Sequence, residues 1–91
     1  NFDVKKRDSI SEIQKYFNLS LHKNGRYEIL SKKTGKIKLI KHYSNNTLEG
    51  QYIFYWDNGN IMIEGNFKKN RREGLWLNYD FNGELILKEN Y

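Results

Sequence analysis

Two histidines, His22 and His42, are the residues best suited to metal binding or proton transfer. A tight turn at Asn24-Gly25 sets His22 against Tyr27, and one at Thr34-Gly35 sets Tyr27 against His42, so all three would share a face. A metal centre needs a further ligand, and alternation turns Glu28 and Lys41 the other way. The carboxylates Asp57, Asp80 and Glu84 flank turns, where such groups stay solvated. Glu49 and Glu73 precede glycines at matching positions, which fits a repeated structural part better than catalysis. No serine among Ser9, Ser11, Ser20, Ser31 and Ser44 falls near a base in any sensible pairing. No helix follows the Asn-Gly steps, so they do not make a phosphate loop. The expectation is a protein that is not an enzyme, with no catalytic residue, no metal ligand, no cofactor and no small-molecule substrate.

Binding is better represented than catalysis. Lys68, Lys69, Arg71 and Arg72 form the densest basic loop, able to grip phosphates or an acidic partner, or simply to discourage edge pairing between exposed strands. Tyr52, Tyr55, Trp56, Trp76 and Tyr79 are aromatic anchors of the kind that dominate protein interfaces, and in a thin sheet they would also serve as core.

The elements that must position these groups follow from an internal repeat. Shifted by 24, Gly50 falls on Gly74, Tyr52 on Trp76, Tyr55 on Tyr79 and Asn58-Gly59 on Asn82-Gly83. Asn66-Phe67 falls on Asn90-Tyr91, and Gly35, Ile37, Leu39 and Tyr43 precede Gly59, Ile61, Ile63 and Phe67 by the same step. The match slips by one residue near Gly25 and Tyr27. Turns are expected at Asn24-Gly25, Thr34-Gly35, Asn45-Asn46, Asn58-Gly59, Asn70-Arg71 and Asn82-Gly83, with Gly25, Gly35, Gly50, Gly59, Gly74 and Gly83 as structural turn glycines. Spacings this short allow only antiparallel neighbours. Strands are predicted over 17–22, 26–32, 37–43, 51–56, 61–67, 75–80 and 85–90. Ser9, Glu12 and the Ile10/Ile13/Phe17 spacing predict a short helix near 9–16.

The fold class read from this is mainly β, an antiparallel meander of hairpin repeats forming one twisted sheet with a short N-terminal helix. Residues 1–91 form a single domain, with an N-terminal cap over 1–24 and repeats over 25–49, 50–73 and 74–91, the first degenerate and the last truncated. A two-residue turn at Asn58-Gly59 pairs Trp56 with Ile61 and Phe54 with Ile63, which places Tyr52, Phe54, Trp56, Ile61 and Ile63 on one face. Both faces come out partly apolar, so one sheet cannot bury them.

Composition sets outer limits. The 91 residues contain no cysteine, which excludes disulfides and thiolate chemistry without fixing a compartment. No apolar run is long enough to span a bilayer as a helix. The chain starts at Asn1 rather than Met, so a cytoplasmic location and export after removal of a leader both stay open. The formal net charge is +5, concentrated in residues 1–48, which hold 11 Lys/Arg against 4 Asp/Glu.

The stretches "GQYIFYWDNGNIMIEGNFKKNRREG" and "GLWLNYDFNGELILKENY", with a degenerate copy in "GRYEILSKKTGKIKLIKHYSNNTLEG", resemble the variant MORN repeat over residues 25–91. That family includes bacterial proteins labelled as toxin–antitoxin-type antitoxins. The resemblance implies a non-enzymatic, single-layer sheet of hairpins that mediates protein–protein interaction, antitoxin-like in some members and linked to phospholipid head groups in others. Asn46 and Asn70 stand at the family's turn glycine, where asparagine tolerates the left-handed conformation. The expected function is protein–protein interaction, with another protein or a second copy as partner. The alternative is binding to acidic lipid or nucleic acid through the basic N-terminal half: Lys23, Arg26, Lys32, Lys33, Lys36, Lys38 and Lys41.

Overall fold

The computed structural model describes residues 23–91. The helix expected near 9–16, the strand over 17–22 and His22 lie outside the described residues. Seven strands follow in order: β1 (Gly25–Leu30), β2 (Ile37–Ser44), β3 (Thr47–Leu48), β4 (Gly50–Tyr55), β5 (Ile61–Lys68), β6 (Arg71–Tyr79) and β7 (Leu85–Asn90). They form one open antiparallel sheet ordered β1-β2-β4-β5-β6-β7, with β3 paired to the end of β2. The molecule measures 63 × 30 × 14 Å. Among the described residues there is one sheet and therefore one layer.

Each long hairpin turns on a glycine with positive φ, but the turn is not the two-residue form expected at Asn58-Gly59. The Gly59 amide donates to the Trp56 carbonyl at 2.9 Å, and the Trp56 amide donates to the Asn60 carbonyl at 2.8 Å. Gly59 has φ +93°, whereas Asn58 is not among the residues with positive φ. This is a type I turn followed by a left-handed bulge glycine, a three-residue loop that Asn-Gly also supports. Asp80 to Glu84 repeats it: the Gly83 amide donates to the Asp80 carbonyl at 3.0 Å. The bulge moves the register. Phe54 faces Ile63 as expected, but Tyr55, not Trp56, aligns with Ile61.

The first hairpin carries one extra loop residue. Ser31 and Lys36 close it, and the Gly35 amide donates to the Ser31 carbonyl at 2.8 Å. The one-residue slip in the repeat therefore lies in this loop. It also overturns the expected Tyr27–His42 pairing: Tyr27 aligns with Lys41 and Arg26 with His42, so Tyr27 and His42 take opposite faces.

Hairpins are joined by tighter turns. Asn45 and Asn46 have φ +49° and +69°, and Lys69 and Asn70 have +50° and +66°. The second of these is centred one residue earlier than the Asn70-Arg71 expected. The asparagines clasp the neighbouring repeat twice over. Asn70 donates its amide to the Leu48 carbonyl at 3.1 Å and accepts the Leu48 amide on Oδ1 at 2.7 Å. Asn46 does the same to Lys23, at 3.0 and 2.7 Å. Asparagine is favoured here because it tolerates positive φ and its side chain reaches backbone.

The sheet carries two rows of facing residues. Glu28, Ile40, Ile53, Glu64, Leu77 and Lys88 form one, strand by strand, and Ile29, Leu39, Phe54, Ile63, Asn78 and Leu87 form the other, on the opposite face. The buried apolar side chains are split between faces. Ile40 and Ile53 sit together in the first row, while Trp76 lies on the other face.

Candidate functional site

One face bears a ladder of aromatic pairs. In each hairpin an aromatic of the first strand meets one near or just past the end of the second, edge to face. The pairs are Tyr27–Tyr43 with centroids 5.2 Å apart, Tyr52–Phe67 at 5.1 Å and Trp76–Tyr91 at 6.3 Å. Such geometry aligns ring edges with ring faces and adds to area burial. The last two rungs fuse, because Trp76 also lies 5.1 Å from Phe67 and 5.7 Å from Tyr52.

Trp76 is the centre of this cluster at 3% exposure. It lies over Gly65, whose missing side chain leaves the notch that the indole fills; a Cβ there would overlap the ring. The indole Nε1 donates to the Asn66 carbonyl at 3.1 Å, so the buried polar atom is satisfied. Arg72 spans the outer side, its guanidinium 5.0 Å from the Trp76 ring and 5.4 Å from the Tyr91 ring. Its Nη1 donates to the Tyr91 hydroxyl at 2.8 Å. The basic loop and the aromatic cluster thus form one surface: Lys68, Lys69, Arg71 and Arg72 line an open groove with Glu73 and Tyr91. Lys23 and Lys41 sit over Tyr43 in a similar way, at 5.1 and 5.2 Å.

The structure separates residues that the sequence reading grouped. Tyr52 and Trp76 touch, but Trp56 belongs elsewhere. Past the bulge it leaves the ladder, packs on Phe81 at 5.8 Å and donates Nε1 to the Tyr79 carbonyl at 3.2 Å. Tyr55 and Tyr79 are half-buried. Tyr79 donates its hydroxyl to Glu64 at 2.5 Å, in the row opposite the ladder. Sequence reasoning missed Tyr27, Tyr43, Phe67 and Tyr91 as partners. The signal was present, since Tyr43, Phe67 and Tyr91 recur 24 residues apart. Arg72 as a stacked cation had no such signal.

The six turn glycines all have φ between +69° and +94°. Among the described residues no group of three His, Cys, Asp or Glu is placed to hold a metal ion.

A hairpin repeat with a glycine entering each unit, a turn ending on a positive-φ glycine and an aromatic pair closing it is now defined. Residues 48–69 and 72–91 match the MORN repeat variant. The two matched stretches coincide with β4–β5 and β6–β7, and the unmatched first hairpin has the same rung and the same register. MORN repeats are general interaction modules, for proteins or membrane lipids. No curated protein and no solved structure matches the chain.

The Glu64–Tyr79 bond carries a pH signature. Tyr79's pKa is raised, first by its hydrogen bond to Glu64, then by burial and the carboxylate's charge. The folded state therefore holds this proton more tightly than the unfolded chain. The contribution is fully present below pH 10 and is lost as pH rises through the raised value. Stability measured from about pH 8 to 12 is expected to fall less in Tyr79→Phe than in the parent, so the difference between them narrows at high pH. A constant difference would show that this bond does not titrate.

Proposed function

We propose that the chain is a non-enzymatic repeat module that binds another protein through the aromatic ladder. One observation carries the reading. A one-layer sheet buries only Ile40, Ile53 and Trp76 among the apolar side chains described, and leaves nine large hydrophobics exposed, Tyr27 and Tyr91 of the ladder among them. Exposed aromatic surface with a cation stacked beside it is the chemistry of an interface anchor. The antitoxin-like role that the family resemblance implies is the case in which the captured protein is a toxin.

The test uses the two exposed ends of the ladder. Tyr27→Ser leaves the Trp76 centre untouched, and Tyr91→Ser removes only its outer neighbour, with Tyr52 and Phe67 still packed on the indole. The parent chain should retain a protein from its native host, and each substitution should weaken that retention with an unchanged circular dichroism spectrum. Undiminished retention by both variants would rule the ladder out.

A second reading has its own observation. The Lys68, Lys69, Arg71 and Arg72 groove supplements the basic N-terminal half with four cations around one turn. This surface would bind acidic lipid or nucleic acid, with affinity falling steeply as salt rises. No binding to anionic vesicles, DNA or RNA at low salt removes it.

A further inference from the structure

We infer that the ladder's partner is an acidic stretch of another protein, laid across the strands so that two of its carboxylates reach Lys41 and Arg72. The inference rests on the ladder reading and deepens it. It uses side chains of β2, β4, β5 and β6, so it needs neither edge of the sheet.

The two faces differ in charge. Glu28 and Glu64 lie in the row opposite the ladder, and Glu73 faces Asn66 on that same side. On the ladder face, the residues in register across β2, β4, β5 and β6 include Lys41 and Arg72 but no carboxylate; Glu89 faces Trp76 only on β7. Carboxylates from outside therefore meet unopposed cations on this face and like charges on the other.

The cations stand on rings. Lys41 Nζ lies 5.2 Å from the Tyr43 centroid, with Lys23 Nζ at 5.1 Å, and the Arg72 guanidinium lies 5.0 Å from the Trp76 ring. Arg72 commits Nη1 to the Tyr91 hydroxyl, and its remaining donors are left for a carboxylate. The middle rung, Tyr52–Phe67, has no cation over it among the described residues, so it offers apolar contact instead.

Spacing turns this into a pattern. β2 and β6 are three strand steps apart, about 14 Å at roughly 4.8 Å per step. An extended chain covers that distance in about four residues, at roughly 3.3–3.6 Å each. Residues four apart on such a chain project to one side, and so does the residue midway between them. The complementary sequence is therefore acidic, any, apolar, any, acidic, with the apolar side chain falling on Tyr52 and Phe67.

NMR titration of the full chain with a synthetic peptide carrying Glu-Ser-Leu-Ser-Glu tests this, read at the tryptophan indole N–H signals. The control peptide, Glu-Glu-Leu-Ser-Ser, has the same composition and charge. The spaced peptide should bind more tightly than the control, and less tightly as salt rises. Lys41→Gln and Arg72→Gln should each weaken it about two- to fivefold, the effect of losing one exposed ion pair. Lys36→Gln removes the same charge from the exposed loop between β1 and β2 and should leave binding unchanged. No binding of the spaced peptide, equal binding of both peptides, or an equal loss in Lys36→Gln would each overturn the inference. So would tighter binding of DNA or anionic vesicles through the same two cations. Host-protein retention that Tyr27→Ser and Tyr91→Ser weaken, but that Lys41→Gln and Arg72→Gln leave unchanged, would overturn it while leaving the ladder reading standing.

Discussion

Trp76→Ala is expected to unfold the sheet. Deleting a large buried aromatic costs about 3–5 kcal/mol, and a domain of this size has about 5–15 kcal/mol in total. The loss here lies at the top of that range, because Trp76 touches Tyr52, Phe67 and Tyr91 at once and anchors Arg72. The strand beneath presents Gly65, which has no side chain to move into the space. Denaturant titration should show a midpoint shifted toward zero, with the folded baseline lost on modest warming. Trp56→Ala serves as the control. Trp56 is half-buried at a loop, so its removal should cost clearly less. Equal losses for the two tryptophans would deny Trp76 its central place in the core.

The second large effect is expected at the other side of the same contact. Gly65→Ala introduces one methyl group, and that methyl overlaps the indole at Cδ2, Cε2 and Cγ. Overpacking of this kind costs about 1–3 kcal/mol. Against it stands the roughly 0.5–1 kcal/mol by which alanine improves on glycine inside a strand. The net is a loss of up to about 2.5 kcal/mol, or a fall in Tm of up to roughly 20 °C for a domain this small. The sign should depend on Trp76. In a Trp76→Leu background the clash is relieved, and Gly65→Ala should be neutral or stabilising. That reversal is a coupling of about 1–3 kcal/mol between touching residues. Additive effects would mean the two sites do not meet.

The hairpin order was legible because glycine and aromatic residues recur at 24, and that spacing constrains which strands can be neighbours. Turn chemistry was legible only to the level of which residues tolerate positive φ. Asn58-Gly59 satisfies both a two-residue primed turn and a bulged three-residue turn, and the choice rests on the Trp56–Asn60 hydrogen bond, a closure the residue types alone do not reveal. That single residue of difference took Trp56 out of the ladder and left Phe81 as its neighbour. The burial of Trp76 was equally hidden. Its side chain looks like any exposed aromatic until the register sets it over Gly65, and the register passes through an irregularity between Glu64 and Asn66. Lys69 shows the limit from the other side: nothing about lysine announces a φ of +50°, and it takes that conformation because Asn70 beside it is clasped to Leu48.

The asparagine clasps and turn bonds tie residues no more than 23 positions apart among those described. Every strand thus finds its neighbour soon after it is made, and little chain entropy is spent before a contact is gained. Such a chain should fold within milliseconds, starting where β4, β5 and β6 gather the largest rings. Pulled from its C-terminal end, it should come apart one hairpin at a time, each peeling event releasing about the same length of thread.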